Sequence, residues 1–527
     1  MFDLVILGGN IVDGTGKKAY RADVGIAGER IEAIGDLGQA ETHRVIVAHG
    51  LTVSPGFIDS HAHSDGMLLL DPQHANGIRQ GITTELLGQD GLSYAPLSPA
   101  NYRMYSRYLA GLLGLPPADL DMHNVTAFRA NYHKKCAVNT AYCVAHGAIR
   151  VETLGFRDVP LVGDALKKAK RLVHESIEQG AVAFSTGMSY YPNCWSTTAE
   201  LVELCKEAHA AGALYVTHLR DVNTDRGFGG GGVPEAIEIG RRSGIRVHFS
   251  HFRTLPEEAG QIAPKIAPID KAKKSGLDCT LELYPYPIGS SFLPMVLPPK
   301  EQEGGPDAIL KRLRDPARKQ AIAKLIDGYE ARSIAEFVLT HTPNTPDAEG
   351  LSLPDFAKKR GKSMGEAVRQ LLVDNDLQVG FRGAPPASVA TWRQLGRDQM
   401  ELLSRPDYMV GSDAIPVGNL CHPRAYGCFP RFLGRLRKQM PGIMSLETMV
   451  QRMTDNPARR FGLTKRGRVQ KGYFADLAVF DADRIIDNAT FDDPKQFPTG
   501  IPYVLVNGQV AVDNERCTGV LAGQAVP

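Results

Sequence analysis

Eight short apolar runs, each followed by a helix-like stretch, constrain this chain more than any other feature. They read GFIDSHAH (56–63), TTELLGQD (83–90), TAYCVAHG (140–147), AVAFSTG (181–187), ALYVTHLR (213–220), RVHFSHFR (246–253), CTLELYPYP (279–287) and YMVGSDA (408–414). Runs so short and apolar suit strands buried on both faces. Stretches between them, such as AELVELCKEAHAAG and VPEAIEIGRRSG, have helical spacing and a terminal glycine. Eight such alternations predict an α/β chain folded as a (β/α)8 TIM-type barrel. The interval from Pro287 to Tyr408 is too long for one crossover, which predicts an insertion around residues 292–350 plus further helices. Residues Met444 to Leu463 read as one more helix and its end.

The two ends differ from the middle. FDLVILGGNIVDG, ADVGIAGERIEAIG and HRVIVAHGLTVSPG open the chain; RGRVQKGYFADLAVFDAD and IPYVLVNGQVAVDN lie near its close. Both are Val/Ile-rich strands with glycine turns. Isolated hairpins are marginally stable. The expectation is therefore one β-sandwich domain built from 1–55 plus 464–527, beside a barrel over 56–463.

The chain has 527 residues and a formal net charge of +2, so charge gives no reason to expect nucleic acid or an anionic membrane as partner. Its eight cysteines form no C-x-x-C pair, which points to a reducing cytoplasm. The opening MFDLVILGGN has an acid at position 3 and no basic segment, so it reads as a strand. No apolar run approaches the length of a membrane span. The oligomeric state is not readable.

Catalytic groups of such barrels sit at the C-terminal ends of strands. Here the runs end in His61 and His63, Asp90, His146, His218, His251 and Asp413. A single buried histidine is most often a satisfied core residue; several at one rim are not. Residues i and i+2 of a strand face the same way, so His61 and His63 can converge on one ion. His218 and His251 close the other side. Asp90 either bridges two ions or completes the shell of one. Imidazole and carboxylate suit Zn2+ or another borderline divalent metal, with one or two ions held. His146 suits either support of a ligand or a substrate hydrogen bond. The glycine-rich stretch 227–232 lacks a Walker lysine and reads as a loop near the site.

Longer motifs carry a family likeness. DLVILGGNIVDGTG, PGFIDSHAHSD, AFSTGMSYYPNCWSTTAEL, YVTHLRD, SHFR, LYPYPIGSSFLPMVLPP, GSDA, HPRAYGCFPRFLGR and MTDNPARRFGL follow one another along almost the whole chain. In these the chain resembles the amidohydrolase superfamily, and within it the N-acyl-D-amino-acid deacylase (D-aminoacylase) family. The resemblance implies that His218 and His251 hold the tighter metal and that His61 and His63 hold a second, weaker one. It implies that Asp413 is the catalytic aspartate and that Arg424 pairs with the substrate carboxylate. Tyr191, Tyr284 and Ser290 or Ser291 fall where family members contact substrate. Two positions depart from the pattern. Asp90, in Gly88-Gln89-Asp90-Gly91, stands where the family typically has a cysteine ligand. Arg253 stands where a lysine is common, and it presents a planar, bidentate donor.

The implied reaction is hydrolysis of a small-molecule N-acylated amino acid, with metal-activated water attacking the amide and Asp413 as general base, then acid. Other readings are a cyclic amide or imide hydrolase of the hydantoinase or dihydroorotase kind, a deaminase, and a non-catalytic binding protein on the same scaffold. Cyclic-amide hydrolases typically place a bridging lysine at the end of the fourth strand, where this chain has AFSTG. The H-x-x-E shuttle of a deaminase is missing after the fifth run. A binding protein would be expected to lose ligands, and these are present.

Overall fold

The protein is described by a computed structural model, covering residues 1–328 and 334–527. Its centre is an eight-stranded parallel sheet, whose strands in chain order are Phe57–Asp59, Ile82–Leu87, Asn139–Ala145, Ala183–Gly187, Leu214–His218, Val247–Phe249, Cys279–Leu283 and Tyr408–Val410. Each strand pairs with the next along the chain. The first and last strands meet without a regular ladder. Instead Ser60 N donates to Val410 O at 3.3 Å, Asp413 N to His61 O at 2.7 Å and His63 N to Ala414 O at 3.0 Å. The barrel thus closes through the backbone of its own candidate ligands.

Local signals explain the crossovers. The helix Thr198–Ala210 is capped by the Thr197 hydroxyl, which accepts from Glu200 N at 3.3 Å, with Glu200 acidic in the first turn. The next helix, Gly232–Ser243, ends at Gly244 with φ +76°, a left-handed stop that lacks a Cβ penalty. The stretch 227–232 leads into that helix against Arg220, with Gly232 N donating to Arg220 O at 3.1 Å. The segment expected as one helix over Met444–Leu463 forms two, Leu446–Met453 and Asp455–Arg460. Pro457 has no N–H to offer the Met453 carbonyl, and the Thr454 hydroxyl bonds back to Val450 O at 2.7 Å, so the chain breaks at Thr454.

Strands from both ends of the chain share one nine-stranded sheet. The join is antiparallel, Thr52–Pro55 beside Leu477–Phe480, with Leu477 opposite Pro55. Leu4, Ile6, Val24, Ile26, Val53, Leu477, Val479 and Leu505 fill a single core from both termini. In the long interval, Ser290–Phe292, Val338–His341 and Gly380–Arg382 form a separate antiparallel sheet, accompanied by helices such as Gly305–Arg314 and Met364–Asp374. These elements lie between Pro287 and Tyr408; Gly305–Arg314 and Val338–His341 fall within 292–350, and Met364–Asp374 and Gly380–Arg382 beyond it. No helix of the described residues is long and apolar enough to cross a membrane.

Candidate active site

At the C-terminal mouth of the barrel two donor groups share one residue. His61, His63, Asp90 and Asp413 form the first; Asp90, His218 and His251 form the second. His61 Nε2 lies 3.3 Å from His63 Nε2, and His218 Nδ1 lies 2.9 Å from His251 Nε2. His63 Nε2 is 3.2 Å from Asp413 Oδ1 and 3.5 Å from Asp90 Oδ2. Asp90 Oδ2 is 3.3 Å from His218 Nδ1, while Asp90 Oδ1 faces His61 Nε2 at 3.6 Å.

These separations test whether a cation fits. Two ligand atoms bound to zinc at about 2.0–2.1 Å in tetrahedral geometry lie about 3.3 Å apart. The donors sit near that spacing. Asp90 Oδ1 is buried and has no hydrogen-bond partner, a costly state that a cation would relieve. The residues fit one or two divalent ions, with Asp90 placed to serve both groups. The same field raises the basicity of His61: burial opposes protonation, but Glu282 and Asp90 outweigh it. Positive charge in the mouth is thereby favoured, whether a proton or a metal ion.

The backbone holds these donors in unusual conformations. Asp90, His251 and Asp413 have φ of +55°, +36° and +52°, a region that side-chain-bearing residues rarely adopt. Two glycines make room. A Cβ at Gly88, where φ is +75°, would meet Cys143 O at 2.1 Å; a Cβ at Gly411 would meet Glu282 Oε2 at 2.6 Å and His61 Cβ at 2.7 Å.

The latter contact exposes a residue that the sequence reading missed. Glu282, inside the seventh barrel strand, accepts a short hydrogen bond from His61 Nδ1 and one from Ser60 Oγ at 2.7 Å. It also lies 3.3 Å from His248 Nε2. Burial pushes its carboxyl up, but charge on His61, the His61 hydrogen bond and the nearby His248 imidazole prevail and hold it at about 2. A carboxylate on Nδ1–H fixes the tautomer that turns the Nε2 lone pair to the donor group. The available signal was a charge between Leu281 and Leu283 in an otherwise apolar strand.

Asp413 Oδ2 lies 2.8 Å from Arg424 Nη1. Burial raises the Asp413 carboxyl, but Arg424 and His63 outweigh it and hold it well below the usual carboxylate range. Arg424 Nη2 also donates to Ser290 Oγ at 3.1 Å, and its guanidinium lies 4.6 Å from the centre of the Tyr284 ring. Arg253 reaches the same ring at 4.2 Å and donates to the Tyr284 hydroxyl at 2.7 Å. Ser291 Oγ bonds the Tyr190 hydroxyl at 3.3 Å.

Two of the expected substrate contacts, Tyr191 and His146, engage protein neighbours in this structure. Tyr191 packs on Trp195, and it is Tyr190 whose ring stands 5.1 Å from His218. Both nitrogens of His146 are taken, by Asn193 Oδ1 at 3.0 Å and Ser196 Oγ at 3.3 Å. Burial, then Arg150, lowers His146 to about 3, so it is a neutral brace of the 193–196 loop.

The amidohydrolase family model matches residues 321–512. The structure superposes on an N-acyl-D-glutamate deacylase from Bordetella bronchiseptica, complexed with zinc and a phosphonate mimic of the tetrahedral intermediate, with a TM-score of 0.82 and 31% identity over 100% of this chain and 99% of that one. A parallel barrel with histidine–aspartate donor groups at its mouth, so matched, is a metal-dependent amidohydrolase. In Alcaligenes xylosoxydans xylosoxydans, a D-aminoacylase is 32% identical over 100% of this chain and 97% of the relative, and an N-acyl-D-glutamate deacylase is 35% identical over 96% and 93%. The chain belongs to the N-acyl-D-amino-acid deacylase (D-aminoacylase) family of the amidohydrolase superfamily.

Proposed function

We propose that this protein hydrolyses the linear amide bond of N-acyl-D-amino acids or close analogues, acting in the cytoplasm on free small molecules. One observation supports this reading most. A single mouth places Asp413 within 3.2 Å of a donor imidazole, His63, and 2.8 Å from a buried arginine, Arg424. Cation donors, a proton acceptor and a carboxylate-binding group are thus side by side. The relatives supply the preference for D-amino acids. The reading also keeps the division into a sandwich of 1–55 plus 464–527 and a barrel over 56–463.

His61, His63, His218 and His251, with Asp90, would hold the ion or ions. When bound, the cation makes water acidic enough to attack near neutral pH and draws electrons from the amide carbonyl. Asp413 accepts the proton of the attacking water and returns it to the departing nitrogen. Arg424 and Ser290 take the α-carboxylate and orient the amide toward Asp413. Because Arg424 also neutralises Asp413 in this structure, an arriving carboxylate competes for the guanidinium and frees the aspartate as a base.

The test is a screen of N-acetyl, N-formyl and N-succinyl D- and L-amino acids with zinc, cobalt and manganese, beside hydantoins and dihydroorotate. Linear D-substrates should be cleaved; activity confined to cyclic imides would refute the proposal. Asp413→Asn should retain metal by elemental analysis and lose about 100-fold or more in kcat. Near wild-type turnover would remove Asp413 from the mechanism.

A further inference from the structure

The substrate side of the mouth carries more buried positive charge than the protein balances. Arg253, Arg382 and Arg424 are 6%, 7% and 0% exposed. Asp413 answers Arg424 only. Arg253 donates to the Tyr286 carbonyl at 3.1 Å and the Tyr284 hydroxyl at 2.7 Å, both neutral. Arg382 reaches two carbonyls, Gly383 O at 3.2 Å and Phe491 O at 3.4 Å, and its buried Nε has no partner. Among the described residues no carboxylate lies within ion-pair distance of Arg253 or Arg382. An unpaired buried guanidinium is expensive, so such a pair needs a reason.

The three arginines are neighbours. Arg253 and Arg424 lie against the one ring of Tyr284. Arg382 sits opposite Ser290 in the antiparallel pair Ser290–Phe292 with Gly380–Arg382, and the Ser290 hydroxyl accepts from Arg424. Opposite residues of a pair present side chains on one face, with Cβ atoms about 4.5–5.5 Å apart. His422 lies among them, its ring 5.1 Å from Phe491, over which Arg382 also lies at 4.9 Å. Burial, then Arg424 and Arg382, holds His422 in its neutral form, so it adds no charge.

We infer that the site takes N-acyl amino acids with an acidic side chain, the second carboxylate being held by Arg253 and Arg382 while Arg424 holds the α-carboxylate. This rests on the deacylase reading above. Both carboxylates belong to the amino-acid half of the substrate and branch from carbons at most two bonds apart, as the clustered arginines require. The acyl group leaves the scissile bond on the opposite side. A neutral side chain would leave two buried guanidiniums without a carboxylate at ion-pair distance, Asp492 acting on Arg382 only from farther off, which is how a polar pocket rejects an analogue that lacks the matching group. Arg382 is then a specificity-determining residue, supplied by the insertion sheet rather than by the barrel.

The zinc-loaded wild-type protein is assayed first, with N-acetyl-D-glutamate and N-acetyl-D-aspartate against N-acetyl-D-glutamine, N-acetyl-D-methionine and N-succinyl-D-methionine. At least one acidic substrate should exceed both neutral N-acetyl substrates in kcat/KM by about 100-fold. Arg382→Gln should raise KM for the acidic substrate more than tenfold and raise kcat/KM for N-acetyl-D-methionine, narrowing the preference between them; Arg382→Lys should recover part of the loss. Equal turnover of acidic and neutral N-acetyl substrates, or a preference for N-succinyl-D-methionine, would overturn the inference and leave the deacylase reading standing. Hydrolysis of no N-acyl amino acid at all would overturn both.

Discussion

Glu282 touches more of the donor set's supports than any ligand does. It accepts from His61 Nδ1, lies beside His248 and accepts from the His251 backbone N at 3.3 Å. Glu282→Gln keeps the shape but replaces an anionic acceptor with an amide, weakening the hold on the His61 tautomer. Metal affinity should fall by about 10–100-fold with secondary structure unchanged. Competition against a chromophoric chelator at fixed pH measures it, and unchanged affinity would remove Glu282 from the support of the centre. The ligand candidates were legible because each ends an apolar run, where a barrel places polar groups. Glu282 lies within its run and reads as an anomaly rather than an end. That the Tyr190 ring, beside Tyr191, stands against His218 was illegible for another reason: adjacent residues point in different directions, and nothing local phases the turn after the strand.

At the scale of elements, legibility followed length and burial. The eight barrel strands are written as contiguous apolar runs because both faces are covered. The strands Ser290–Phe292 and Gly380–Arg382 have three residues each and show no period, so the insertion's sheet could not be read. The C-terminal tail was equally silent. Thr140 N donates to Gln524 O at 2.9 Å and Val526 N to Thr140 O at 2.8 Å, which seats Val526 in a cluster with Ile58, Leu86, Ala141, Leu214 and Met409 at the barrel's base. Val526→Ala should cost about 1–2 kcal/mol from lost burial and the space left behind. Because the site lies at the opposite end, kcat/KM should stay within twofold while the thermal midpoint drops. Parallel melts and assays check it; an activity loss without a stability loss would contradict this placement of the tail.

Across the whole molecule the candidate ligands come from strand ends spread along the chain from His61 to Asp413, and three of them, Asp90, His251 and Asp413, carry strained backbone. Each such residue costs on the order of 1–3 kcal/mol. Bringing four imidazoles and two carboxylates together without a central cation adds the cost of poorly matched lone pairs, including the unpartnered Asp90 Oδ1. The unfolded chain cannot reproduce this donor arrangement, so a cation binds the folded state preferentially and stabilises it by about 2.7 kcal/mol at a free concentration of 100 Kd. Removing metal with a chelator should therefore lower the melting temperature by several degrees, and added zinc should restore it. Chains of this size often unfold irreversibly, so the comparison is made at one scan rate. The shift should shrink in His218→Ala, which removes a ligand from the second donor group but not from the first. In His61→Ala the loss should be compounded, because that change also removes one of the hydrogen bonds that Glu282 accepts. A stripped protein, verified metal-free by elemental analysis, that melts at the same temperature as the zinc-loaded one would show that the fold carries this strain without help from the ion.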